Sequence, residues 1–167
     1  MTIALFPGSF DPVTNGHVDT IKQASLAFDK VYVVVMTNTH KHGLFSPDER
    51  VDFIKDAVQN IKNVEVLEQP ETLTVDLARK LGVNVLVRGA RNIEDFTFEQ
   101  QIASLNREMS PNLPTALFFT KPEDAFVASS MVKEIAKFGG DITKFLPEKA
   151  AKALSERLKI DGQEKNL

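Results

Sequence analysis

The chain has 167 residues, 43% of them hydrophobic and 26% charged, with a formal net charge of −3. This is the size and composition of one folded domain with a sizeable core, neither disordered nor membrane-embedded, and the slightly acidic balance offers no basic field for nucleic acid. The lack of cysteine excludes disulfides and thiolate metal sites, and three histidines without ligand spacing argue against a structural zinc.

The start, MTIALFPGSFDP, lacks the basic residues and long apolar region of a signal peptide. No later run is long enough to span a bilayer, so a cytoplasmic location is expected. IALF (3–6) reads as a buried strand, and Val18, Ile21, Ser25 and Phe28 then recur at helical spacing with only Ser25 off-pattern. KVYVVVM (30–36), rich in β-branched residues, is a second strand. SPDERVDFIKDAVQNIK (46–62) opens a helix with Ser46 as N-cap, Pro47 at its first position and Glu49 completing a capping box. VEVLEQ (64–69) is a strand, VDLARKLG (75–82) a helix closed by Gly82, and VNVLVRG (83–89) the fourth strand. IEDFTFEQQIASLNREM (93–109) predicts a long helix with Phe96, Ile102 and Met109 inward, and TALFFT (115–120) the fifth strand. SSMVKEIAKFGG (129–140) and PEKAAKALSERLKI (147–160) are the last helices, and DGQEKNL (161–167) is a polar, frayed tail. With no repeat, low-complexity tract or linker, residues 1–160 form a single domain.

Strands alternating with helices predict an α/β chain with a Rossmann-like open parallel five-stranded sheet and helices on both faces. Ligands bind such sheets beyond the carboxyl ends of the strands, at the switch in strand order. That directs attention to segments 7–17, 37–45, 70–74, 88–92 and 121–130. In FPGSFDPVTNGH (6–17), Gly8 and Pro12 turn the chain, Gly16 lets backbone N–H groups approach a ligand, and the following helix offers its positive end to phosphate. Ser9 adds a hydroxyl. His17, in the first helical turn, is placed to donate to a phosphoryl oxygen as charge builds on it; the plainer alternative is a structural histidine packed on Ile21. The loop is neither a P-loop nor a dinucleotide fingerprint, because G-x-x-x-x-G-K-[ST] and G-x-G-x-x-G are both absent. Lys41 sits between two histidines in NTHKHGLF (38–45), where a solvated lysine is the bland reading. In VRGARNIEDF (87–96), Arg88 and Arg91 flank Gly89 at a strand end, and cations at a helix start oppose its dipole unless an anion joins them. Ser129 and Ser130 open a helix, either as N-caps or as phosphate contacts.

Together PGSFDP (7–12), TNGH (14–17), VRGAR (87–91), DFTFEQQIASLNR (95–107), SSMVKE (129–134) and GDITKFLP (140–147) resemble the bacterial phosphopantetheine adenylyltransferases. The resemblance runs from about residue 3 to 160, and TNGH alone marks only the wider nucleotidylyltransferase superfamily. It implies adenylyl transfer from ATP to 4′-phosphopantetheine in coenzyme A biosynthesis, magnesium as cofactor, a homohexamer of two trimers, and coenzyme A as feedback inhibitor. On this resemblance His17, Lys41, Ser9 and Arg91 are the catalytic residues. The ATP contacts are Ser9, Phe10, His17, Gly89, Ala90, Arg91, Glu99, Asp124, Ala125, Phe126, Val127, Ala128, Ser129 and Ser130. The acceptor contacts are Ser9, Lys41, Leu73, Thr74, Arg88, Phe98, Ile102 and Asn106. No dedicated carboxylate cage is visible, so the metal is expected to be held by ATP and water. Ser9 stands where many members have threonine, His42 replaces a frequent second lysine, Phe98 replaces tyrosine, and Ala128 replaces the first serine of a run.

The mechanism expected is an in-line displacement without a covalent enzyme intermediate, driven by positioning and charge stabilisation. Three alternatives stand beside it: a sister nucleotidylyltransferase acting on nicotinamide mononucleotide or a polyol phosphate, a nucleotide-binding module without catalysis, and a nucleic-acid-binding domain.

Overall fold

The computed structural model describes residues 1–36, 43–69 and 71–164. Five strands, β1 (Ile3–Gly8), β2 (Lys30–Met36), β3 (Val64–Gln69), β4 (Val85–Ala90) and β5 (Thr115–Phe119), make one parallel sheet in the order β3-β2-β1-β4-β5. Between and after them run α1 (Asn15–Ala27), α2 (Pro47–Val58), α3 (Thr74–Lys80), α4 (Ile93–Met109), α5 (Ser129–Lys137) and α6 (Glu148–Glu164). This is the α/β architecture expected from the sequence, with each strand end within two residues of its predicted place.

The apolar runs explain the layering. Along β2, Val31, Val33 and Val35 join Ala4 and Phe6 of β1 and Val85 and Val87 of β4 on one face, under α1, α2, α5 and α6. Val34 joins Leu5 and Leu86 on the other, under Val75, Leu77 and Ala78 of α3. Both faces of the central strands are covered, so these strands carry continuous apolar runs instead of alternating. The α2 capping box forms as expected: Ser46 Oγ accepts from Glu49 N–H at 3.3 Å, and Glu49 Oε2 accepts from Ser46 N–H at 2.8 Å.

Two expectations are corrected. Phe96 and Met109 do not point inward but are 41% and 47% exposed, and the buried residues of α4 are polar, Glu99 and Asn106. On the inner side of α4, Glu99 meets the charged Arg88 of β4. In addition, α6 runs through Glu164, past the expected stop at 160. No proline follows to end it, and one glycine in a helix costs only about 1 kcal/mol. Among the described residues no helix is long and apolar enough to cross a membrane.

Candidate active site

The strand order reverses between β1 and β4, since β1 leads outward to β2 and β3 on one side while β4 and β5 lie on the other. A cleft of about 360 Å³ opens there, beyond the carboxyl ends of β1 and β4, as the topology requires. It is walled by the β1–α1 loop with Ser9, Phe10 and His17, by Arg88, Gly89 and Arg91 around the end of β4, by Asp95 and Glu99 of α4, and by Val127 to Ser130. Gly89 permits this packing: a Cβ there would lie 2.9 Å from Oγ1 of the buried Thr20 on α1.

His17 occupies the third position of α1, and Thr14 caps that helix. Thr14 Oγ1 accepts from His17 N–H at 3.4 Å, and His17 Nδ1 accepts from Thr14 N–H at 3.0 Å. The TNGH element is therefore a capping box in which histidine takes the place usually held by Glu or Gln. This bond has a chemical consequence. Because Nδ1 must accept, the neutral ring carries its proton on Nε2, and Nε2 meets no partner among the described residues. Phe10, itself buried at a positive φ of 47°, packs its ring edge-to-face on the imidazole with centroids 5.1 Å apart. Burial, and then the charges of Arg91 and Arg88, push the His17 pKa down from 6.5 to about 4. The ring is thus neutral at physiological pH, held rigidly, and presents one N–H donor to the cleft.

The lowered pKa predicts a pH effect. The native state keeps His17 neutral, whereas the unfolded chain protonates it near 6.5, so this stabilisation is complete above pH 6.5 and is lost as pH falls toward 4. Urea unfolding at pH 4.5 compared with 7.5 is expected to show about 2 kcal/mol more loss in the wild type than in His17→Gln, which does not titrate. Equal losses in both proteins would contradict the assignment.

Both predicted arginines reach the cleft, but each is already paired. Arg88 forms a two-pronged ion pair with Glu99, at 2.6 Å from Nε and 2.7 Å from Nη2, and donates from Nη1 to Pro7 O at 2.7 Å. Arg91 grips Asp95 at 2.8 and 3.1 Å and donates to Val127 O at 2.9 Å. The Arg91 hydrogen bonds hold the Asp95 carboxyl below its usual range. The unfavourable placement of these cations, which the sequence reading took to point to an anionic ligand, is offset within the chain by two carboxylates of α4. Each fork is fixed in orientation and keeps further N–H groups for a ligand.

Neither serine of α5 caps it. The N-cap is Ala128, without a side-chain bond, while Ser129 Oγ donates to Pro12 O at 2.9 Å and Ser130 is exposed at the cleft. The first amides of α5 therefore keep no side-chain cap at the rim. Ala90 is buried at the end of β4 and does not line the cleft, and Asp124, Ala125 and Phe126 lie outside the cleft lining on the approach to α5. Leu73 and Thr74 stand at the start of α3, and Phe98, Ile102 and Asn106 lie along α4; none of the five lines the cleft. Lys41 and His42 lie outside the described residues. The sequence reading missed Thr14 and Asp95 as site residues, although both were signalled by spacing: Thr14 three residues before His17, and Asp95 four residues after Arg91.

Among the described residues no protein cage for a divalent ion is formed. Among the described residues no group of three or more His, Asp or Glu side chains converges, and the two carboxylates lining the cleft are both engaged by arginine.

The cytidylyltransferase-like family model matches residues 5–135. The phosphopantetheine adenylyltransferase of Lactobacillus helveticus is 59% identical over 158 residues, covering 95% of this chain and 96% of that one. That of Lactobacillus acidophilus is 59% identical over 159 residues, covering 95% and 99%, and that of Levilactobacillus brevis is 50% identical over 161 residues. The chain belongs to the phosphopantetheine adenylyltransferase family. A solved structure from Vibrio parahaemolyticus named as a nicotinate-nucleotide adenylyltransferase superimposes with a TM-score of 0.67 at 22% identity, over 97% of this chain and 94% of that one. At that identity it speaks to the fold alone, which the two chains share.

Proposed function

We infer that this chain is an adenylyltransferase of coenzyme A biosynthesis, joining ATP and 4′-phosphopantetheine to give dephospho-coenzyme A and pyrophosphate. The observation that carries this reading is the 59% identity to a phosphopantetheine adenylyltransferase along 95% of the chain. In the proposed step a 4′-phosphate oxygen attacks the α-phosphorus of ATP. The bond to the bridging oxygen of the β-phosphate breaks in line, and pyrophosphate departs with the electron pair. The nucleophile is already anionic, so no general base is needed. His17 donates from Nε2 to an α-phosphoryl oxygen, where charge builds in the transition state. Ser9 and Lys41 hold the attacking phosphate, while Arg91, Ser129 and Ser130 hold the β- and γ-phosphates. Magnesium, if bound with the nucleotide, would supply charge neutralisation on the phosphates, and no described side chain is assigned to hold it. The reading places the enzyme in the cytoplasm, and coenzyme A competes because it carries the same arm. Formation of dephospho-coenzyme A and pyrophosphate in equal amounts, followed by mass spectrometry, tests the reaction.

Acceptor choice falls to the flank of the cleft. Glu99, Ile102 and Asn106 follow one stripe of α4 at spacings of three and four, leading outward from the Arg88 pair, and Phe98 of the same helix and Leu73 at the start of α3 are exposed. A mostly apolar strip with a few hydrogen-bonding points suits an amide-bearing chain.

We propose a homohexamer. Ile93, Phe98, Leu105 and Met109 of α4, Met131 and Ile135 of α5 and Phe138 just after it are all exposed in the single chain, more apolar surface than a monomer normally presents. Light scattering on the purified protein is expected to report about six chains, a closed symmetric assembly. A stable, active monomer would refute it.

A further inference from the structure

Behind the cleft lies a second polar cluster, centred on Asp11, that takes no part in the chemistry proposed above. Asp11 is mostly buried, with 12% of its side chain exposed. Its two oxygens accept from Leu44 N–H at 2.9 Å and Phe45 N–H at 3.0 Å. Arg50, at the first turn of α2 and itself buried, lies 3.7 Å from Asp11 Oδ1 and donates to Phe45 O at 2.8 Å and to Ser9 O at 3.2 Å. Lys133 of α5 reaches Asp11 Oδ2 at 3.5 Å. The fit is close: a Cβ on Gly43 would lie 2.5 Å from Arg50 Nη2 and 3.2 Å from Asp11 Oδ2.

Three separate parts of the chain meet at this carboxylate. The β1–α1 loop carries Ser9. The segment from Gly43 to Ser46 leads into α2. Helix α5 carries Ser129 and Ser130 in its first turn, and Ser129 adds a second link to the same loop through Pro12 O. A buried carboxylate that merely filled space would be costly, whereas here every contact joins two walls of the cleft or their supports. We propose that Asp11 is a positioning residue: through Arg50 and Lys133 it fixes the spacing between Ser9, on the acceptor side, and Ser129–Ser130, on the nucleotide phosphate side. In-line displacement is steeply sensitive to this spacing, because misplacement of about 1 Å costs roughly a hundredfold in rate.

The proposal rests on the adenylyl-transfer reading, and its test separates the two. Wild-type enzyme is assayed with ATP and 4′-phosphopantetheine beside Asp11→Asn and Lys133→Gln, each well below its own unfolding midpoint. Failure of the wild type to turn over would sink the transfer reading itself. Given wild-type turnover, folded Asp11→Asn is expected to lose about tenfold or more in kcat with both KM values within about threefold, the mark of lost alignment rather than lost binding. A folded Asp11→Asn with kcat within about twofold of wild type would overturn the proposal. Should Asp11→Asn fail to fold, Lys133→Gln decides, since its side chain is 34% exposed and its loss leaves the fold intact. A fall in kcat of about threefold or more at an unchanged midpoint supports the positioning role, and a wild-type kcat overturns it.

Discussion

His17→Ala is expected to lower kcat several hundredfold or more, about 3–4 kcal/mol, while ATP binding weakens little, because the donor is needed most where charge builds on the α-phosphoryl group. The same side chain also caps α1, so the alanine variant loses about 1 kcal/mol of stability as well. His17→Glu separates the two roles. Its carboxylate accepts from Thr14 N–H and favours the positive end of α1, so stability is retained. Yet it offers no donor and places an anion against the phosphates, so activity falls at least as far as in the alanine variant. Steady-state kinetics and urea melts on both variants check this. A folded His17→Glu enzyme with near-native kcat would show that the histidine serves the helix alone.

Removing Glu99 is expected to be the most damaging change to the folded state of the site. Its side chain is 9% exposed, and its carboxylate takes both prongs of Arg88. In Glu99→Ala the guanidinium keeps only Pro7 O of the three bonds described, with 26% of its side chain open to water. A partly buried charge left without its partner costs about 3 kcal/mol, which lowers Tm by roughly 6–12 °C in a chain of this size. ATP should then stabilise the variant more than the wild type, since phosphate supplies the missing anion. Differential scanning fluorimetry with and without ATP reads both effects. A Tm within about 2 °C of wild type would contradict the account of the pair.

The sheet was legible because its signal is local. The apolar runs of β1, β2 and β4 and the Ser46–Pro47–Glu49 start of α2 need no tertiary context. The location of the site followed from topology alone. The inner face of α4 was not legible, since Phe96 and Met109 show the same periodicity whether a core or a partner chain covers them, and the polar burial of Glu99 depends on Arg88, eleven residues away. The pairing of the arginines was half legible: Arg91 with Asp95 is an (i, i+4) pair readable along the chain, but Arg88 with Glu99 requires β4 to pack on α4. The Asp11 cluster draws on residues from 9 to 133; Asp11 and Lys133 lie in the PGSFDP and SSMVKE motifs, but no spacing along the chain shows that they meet. Thr14 was readable in retrospect, as a capping box whose distal member is a histidine.

The phosphate-binding groups are generic to nucleotidyl transfer, so the acceptor is where the functional account stands or falls. Nicotinamide mononucleotide is flat and charged, and a polyol phosphate is too short to fill the strip along α4 or pair its polar groups. The most direct measurement is pyrophosphate release from ATP with 4′-phosphopantetheine, nicotinamide mononucleotide and a polyol phosphate in turn, each with magnesium and with EDTA. The account predicts magnesium-dependent turnover with 4′-phosphopantetheine, inhibited by coenzyme A, and little release with the other two acceptors. Comparable turnover with nicotinamide mononucleotide, or none with 4′-phosphopantetheine, would contradict it.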